Sequence, residues 1–112
     1  MSGSLNGVSN IIQNNEIKDA LSSYGAIYLY GIKGVEVRNN YIHGYTLGIT
    51  AGVFDATSAE SVQDIEIHHN RIEGNFPKLS MTNLISVGGN ATSNVNVHNN
   101  YIKELPNTAT NV

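Results

Sequence analysis

Apolar and polar residues alternate in short bursts along this chain, and the bursts recur. In the segment from Val35 to His43, the apolar Val35, Val37 and Ile42 fall on one side, and Glu36, Arg38, Tyr41 and His43 on the other. A period of two predicts a strand with one buried face. Apolar residues do not recur at helical spacing, and an Asn-Asn or His-Asn pair interrupts each burst, so a helix is excluded. Between bursts lies a second strand-like patch: Ala26–Leu29, Gly48–Ala51 and Leu84–Val87.

Four segments align on an Asn: Ile12-Gln13-Asn14-Asn15-Glu16-Ile17, Val37-Arg38-Asn39-Asn40-Tyr41-Ile42, Ile67-His68-His69-Asn70-Arg71-Ile72 and Val97-His98-Asn99-Asn100-Tyr101-Ile102. The key residues Asn15, Asn40, Asn70 and Asn100 are spaced by 25, 30 and 30 residues. A repeat of that length with two or three short strands cannot form a sheet alone. It can coil once and pair with the next coil, about 4.7–4.9 Å along an axis. Identical positions then stack in columns. The second Asn of each pair is expected at a sharp left-handed turn with its amide pointing inward, so that stacked amides bond along a structural ladder.

Composition agrees. There are 12 Ile and 9 Val against 7 Leu, a strand bias, and 16 Asn, a residue suited to turns. A leucine-rich horseshoe is excluded because its Leu framework is missing. The repeat Val-x-Val-x-Asn-Asn-x-Ile followed by Gly-Ile resembles the right-handed parallel β-helices of pectate lyase-like proteins, over nearly all of residues 7–104. The fold class it implies is all-β, a solenoid of about four coils. That superfamily holds polysaccharide lyases, glycoside hydrolases, epimerases, phage tail spikes and adhesins. Fold does not choose among them. The resemblance implies a glycan partner and an extracellular or virion-associated setting. The Asp-Pro-His segment of alginate epimerases is missing.

Stacking makes the outward columns readable. The position after the ladder Asn gives Glu16, Tyr41, Arg71 and Tyr101, and two positions on come Lys18, His43, Glu73 and Lys103. Arg71 between two phenol rings would make a cation–π stack. Aromatic faces flanked by charge suit a sugar chain, so Tyr41, Arg71, Tyr101, His43, Glu73 and Lys103 are the candidate ligand-binding residues. A second pair of columns sets Glu36, Glu66 and Asn96 beside Arg38, His68 and His98. Glu66 and His68 form a possible acid–base pair, against which stands a plain cross-strand charge lattice. Asp55, Glu60 and Asp64 share the longest loop, Phe54 to Asp64. Asp55 and Asp64 are the other catalytic candidates, and Ca2+ is the one cofactor such acids suggest. The Gly74–Asn83 loop is the other long excursion, and Asn90-Ala91-Thr92 fits a glycosylation acceptor. His68 and His69, adjacent on a strand, are expected to face opposite sides, so no metal centre is expected there.

The remaining properties mainly exclude. A formal charge of −3 with 13% charged residues gives no case for nucleic acid or an anionic membrane. No apolar run approaches the roughly 18 residues of a membrane helix. Cysteine is absent, so neither disulfides nor thiol chemistry contribute. Residues 1–6 are expected to be a flexible start or tag remnant, and 105–112 a tail or partial coil. Neither resembles a cap over the open sheet edges. The chain is therefore expected to be a fragment of a longer β-helix, or to associate as a homo-oligomer or end to end. Two functions stand open: a polysaccharide-binding or polysaccharide-processing segment, and a non-catalytic structural solenoid.

Overall fold

The computed structural model describes residues 10–18, 25–44, 48–54, 57–75, 85–89 and 91–105. Among them the chain forms strands only: β1 (Asn10–Gln13), β2 (Glu16–Lys18), β3 (Ile27–Leu29), β4 (Ile32–Arg38), β5 (Tyr41–His43), β6 (Ile49–Val53), β7 (Val62–His68), β8 (Arg71–Asn75), β9 (Ile85–Gly89), β10 (Thr92–His98) and β11 (Tyr101–Leu105). They assemble into three parallel sheets. Sheet A runs β1-β4-β7-β10, sheet B runs β2-β5-β8-β11, and sheet C runs β3-β6-β9. Sequence-adjacent strands thus belong to different sheets, and each strand pairs with its counterpart from the next repeat. That is the topology of a parallel β-helix. No helix among the described residues is long and apolar enough to cross a membrane.

The alternation predicts the register correctly. Ile12, Val37, Ile67 and Val97 stack in one column, and Ile17, Ile42, Ile72 and Ile102 in another. The core lies in the middle coils, where Val37, Ile42 and Ile67 are fully buried. It thins toward the last coil, where Val97 and Ile102 are 41% and 49% exposed. In these two columns, full burial comes where a coil lies on both sides.

The Asn ladder turns the corner between sheets A and B. The Asn70 Nδ2 donates to Asn100 Oδ1 (3.0 Å), Val37 O (2.9 Å) and His68 O (3.1 Å). Its Oδ1 accepts from the N–H and Nδ2 of Asn40 (3.1 and 2.9 Å). Asn40 repeats this pattern with Ile12 O, Arg38 O and Asn15. Asn40 and Asn70 are each 2% exposed, and the ladder satisfies amides that would otherwise be costly to bury.

The left-handed residue of the corner is not the ladder Asn, as expected, but the residue before it. Asn14, Asn39, His69 and Asn99 have φ of 60°, 55°, 55° and 54°. The ladder Asn spends its side chain on the column, and the preceding residue makes the bend. Asn is the commonest side-chain-bearing residue in that conformation, and His also tolerates it. A second left-handed column, Gly34, Asp64 and Asn94, crosses the middle of sheet A (φ 75°, 57° and 54°). It bends strands that would otherwise run straight. Asp64 therefore lies inside β7 and not in the preceding loop.

Sheet C depends on glycine at one close approach. A Cβ on Gly52 would stand 2.1 Å from the carbonyl oxygen of Gly88 on the neighbouring strand. Only a residue without a side chain lets β6 and β9 pair at that point.

Candidate functional site

Two outward faces carry the chemistry. On sheet B, Glu16, Tyr41, Arg71 and Tyr101 stack in register, as do Lys18, His43, Glu73 and Lys103. The Arg71 guanidinium carbon lies 4.8 Å from the Tyr41 ring centroid and 5.8 Å from that of Tyr101. The cation therefore stands between two phenol rings, a favourable electrostatic arrangement. Tyr41 also stacks on His43, with centroids 4.3 Å apart and planes 19° off parallel. Tyr101 is 54% exposed and the Arg71 side chain 58%.

Glu73 anchors this face from beneath. It is only 8% exposed, which period two did not foretell for an outward position. One oxygen accepts from Arg71 Nε and faces its Nη2, both at 2.8 Å, while the other accepts from the Tyr41 hydroxyl at 2.9 Å. Its carboxyl is held below the usual range by Arg71 first and then Tyr41, against the opposing effect of burial. The Tyr41 hydroxyl is pushed up, chiefly by the same bond. Glu73 thus fixes the orientation of Tyr41 and Arg71, and both its oxygens are occupied. Glu16 contacts His43 Nε2 at 2.8 Å.

On sheet A, Glu36 pairs in register with Glu66, and Arg38 with His68, with Asn96 and His98 next in the two columns. The direct partner of His68 is Glu36 and not Glu66: His68 Nε2 to Glu36 Oε2 is 2.5 Å. Glu66 instead receives Asn96 Nδ2 at 3.0 Å and faces His98 Nε2 at 3.6 Å. The His68 and His98 rings stack in parallel, 5.0 Å apart. His68 and His69 do not face opposite sides, because alternation fails at the left-handed His69. Their Nδ1 atoms approach to 2.7 Å.

The acids expected to share a loop do not form one group among the described residues. Asp64, inside β7, accepts a bond from Asn94 Nδ2 at 2.6 Å. Glu60 is exposed, beside Gly31. Asp55, Asn90 and the loop residues 76–84 lie outside the described residues. The missed signal was the column Gly34, Asp64 and Asn94, three residue types that accept left-handed backbone, at one spacing.

A right-handed beta helix region family model matches residues 4–110. The chain belongs to that family. No curated protein and no solved structure matches it. Membership of the right-handed β-helix family gives the three-sheet coil its hand, and leaves the chemistry to the columns themselves.

The columns of this β-helix predict acid sensitivity. Glu16, Glu36 and Glu73 all have carboxyls held low, mainly by His43, His68 and Arg71 respectively. A depressed folded-state value contributes stability above the unfolded-state value, about 4.3 for Glu. That contribution is lost as pH falls through the lower folded values. The melting temperature is expected to fall as pH drops below about 5 and through the lower folded-state values, and less steeply in Glu36→Gln. A parallel pH profile in that variant would remove Glu36 from the explanation.

Proposed function

We propose that this β-helix is a polysaccharide-recognition segment, its ligand lying across the strands of sheet B along Tyr41, Arg71 and Tyr101. The observation that carries this reading is the Tyr41–Arg71–Tyr101 stack on a parallel sheet, with Arg71 and Tyr101 exposed and Tyr41 half-buried. Sugar rings pair apolar faces with rims of hydroxyls, and acidic sugars add carboxylates. Aromatic rings offer stacking surface to the first, and Arg71 and Lys103 offer donors to the others. Glu73 holds two of the three side chains in place, so little conformational freedom is lost on binding. Lys18 and His43 flank the same face.

The test is a panel of neutral and uronic-acid polysaccharides, assayed by affinity electrophoresis and for absorbance from new unsaturated ends. Binding without cleavage is expected. Tyr101→Ala and Arg71→Ala should each weaken it about tenfold, the equivalent of about 1.4 kcal/mol. Cleavage would make the chain a lyase and bring Glu66, His68 and Asp64 under test.

A second reading is a structural solenoid without a ligand. It is favoured by one observation: many outward charges are matched between neighbouring columns, as in Glu16–His43, Arg71–Glu73 and Glu36–His68. Silence across the panel from a folded chain selects it.

A further inference from the structure

We propose that Glu36, Glu66 and His68 on the outer face of sheet A bind a divalent transition metal of the zinc class. This site is separate from the saccharide face, which lies on sheet B. One ligand atom from each of the three residues lies within 4.8 Å of the other two. Metal–ligand bonds of about 2.0–2.2 Å need such atoms drawn in by an ångström or so, a distance that side-chain rotation covers. The backbone under them is fixed. Glu36 and Glu66 are register partners on β4 and β7, and His68 follows Glu66 by two residues on the same face.

The electrostatics of the cell favour a cation. Two carboxylates directly opposite one another on neighbouring strands repel. Arg38 reaches Glu36 at 3.4 Å, but its Nε donates to Gln13 on β1, the side of β4 away from β7. The other groups around the carboxylates are the imidazoles of His68 and His98 and the amide of Asn96. A divalent ion would neutralise both glutamates at once.

Neighbouring groups supply the outer support that metal ligands require. Asn96 bonds the second oxygen of Glu66. The Nδ1 of His68 meets Nδ1 of His69, which orients the ring and leaves Nε2 turned to the carboxylates. His98, stacked on His68 and 3.6 Å from Glu66, borders the same cell. The His68 side chain is 14% exposed and that of Glu66 46%, so the cell has a rigid floor and an open mouth for ion and water. The donor set selects the metal. An imidazole with two carboxylates suits Zn2+, Co2+ or Ni2+. Ca2+ and Mg2+ prefer oxygen alone and in greater number.

The test titrates the full chain with Zn2+ alone by calorimetry, and with Co2+ to read coordination from its visible spectrum. One Zn2+ per chain is expected, not displaced by excess Ca2+ or Mg2+. Glu66→Gln and His68→Gln should each weaken binding about tenfold or more with thermal melts retained. No uptake, or uptake unchanged in both variants, overturns the site. Should either variant fail to fold, NMR of the native chain decides. Zn2+ must perturb the His68 ring and the glutamates of β4 and β7, and perturbation confined to other residues overturns the proposal.

Discussion

Replacing Asn70 with Asp is expected to unfold this chain, or nearly so, although the two side chains have almost the same shape. The Nδ2 of Asn70 donates to three oxygens, those of Asn100, Val37 and His68. Aspartate sets a carboxylate oxygen against all three at a position 2% exposed. The loss of satisfied donors and the burial of an unpaired charge together cost about 3–5 kcal/mol. Small domains hold only about 5–15 kcal/mol in total. Acidification should separate charge from shape. The buried Asp has a raised folded-state value, so its penalty is present at neutral pH and relieved as pH falls through that value. The gap in melting temperature between variant and wild type should therefore narrow in acid. The neighbouring corner residue should behave differently. Asn39 is exposed and left-handed, so Asn39→Gly keeps the bend and should change stability by less than about 1 kcal/mol. Equal losses at Asn39 and Asn70 would contradict the assignment of bend and ladder to different residues.

The second large effect is a contrast within one column. Ile72→Ala removes a side chain 1% exposed, with Ile42 and Ile102 paired on either side. It should cost about 2–5 kcal/mol in urea denaturation. Ile102→Ala makes the same chemical change one coil further along, where the side chain is 49% exposed. In an isolated chain it should cost under about 1.5 kcal/mol, since half of the surface already meets water. The contrast also reports on self-association. If copies stack end to end and cover the last coil, the cost at Ile102 rises toward that at Ile72, and it does so with protein concentration. A concentration-independent difference between the two variants would count against such stacking.

The readable and unreadable parts of this molecule divide on a physical line. Strand register was legible because period two and a fixed corner residue constrain it jointly. Once Asn15, Asn40, Asn70 and Asn100 are aligned, the columns flanking the corner follow, including the Tyr41–Arg71–Tyr101 stack. Both members of an Asn-Asn pair tolerate left-handed backbone, so residue type alone cannot choose which of them makes the bend. The His69 copy held the discriminating signal, since there the ladder position keeps Asn while the bending position changes. The rule that neighbours face opposite sides failed at His69 for the same reason: it holds only for extended backbone. Asp64 looked like a loop acid because a left-handed residue inside a strand breaks the alternation that would have marked it. The burial of Glu73 depends on two long side chains, Tyr41 and Arg71, folding over it, and no spacing rule encodes that.

The two faces of this β-helix make separable claims: sheet B offers stacked rings and guanidinium, and sheet A offers carboxylates and imidazoles. The most direct test of the central one is an amide NMR titration of the chain with neutral and uronic-acid oligosaccharides. Saturable shifts are expected on β5, β8 and β11 around Tyr41, Arg71 and Tyr101, with sheet A unmoved. Shifts confined to sheet A or to the loops, or none with any saccharide, would contradict it.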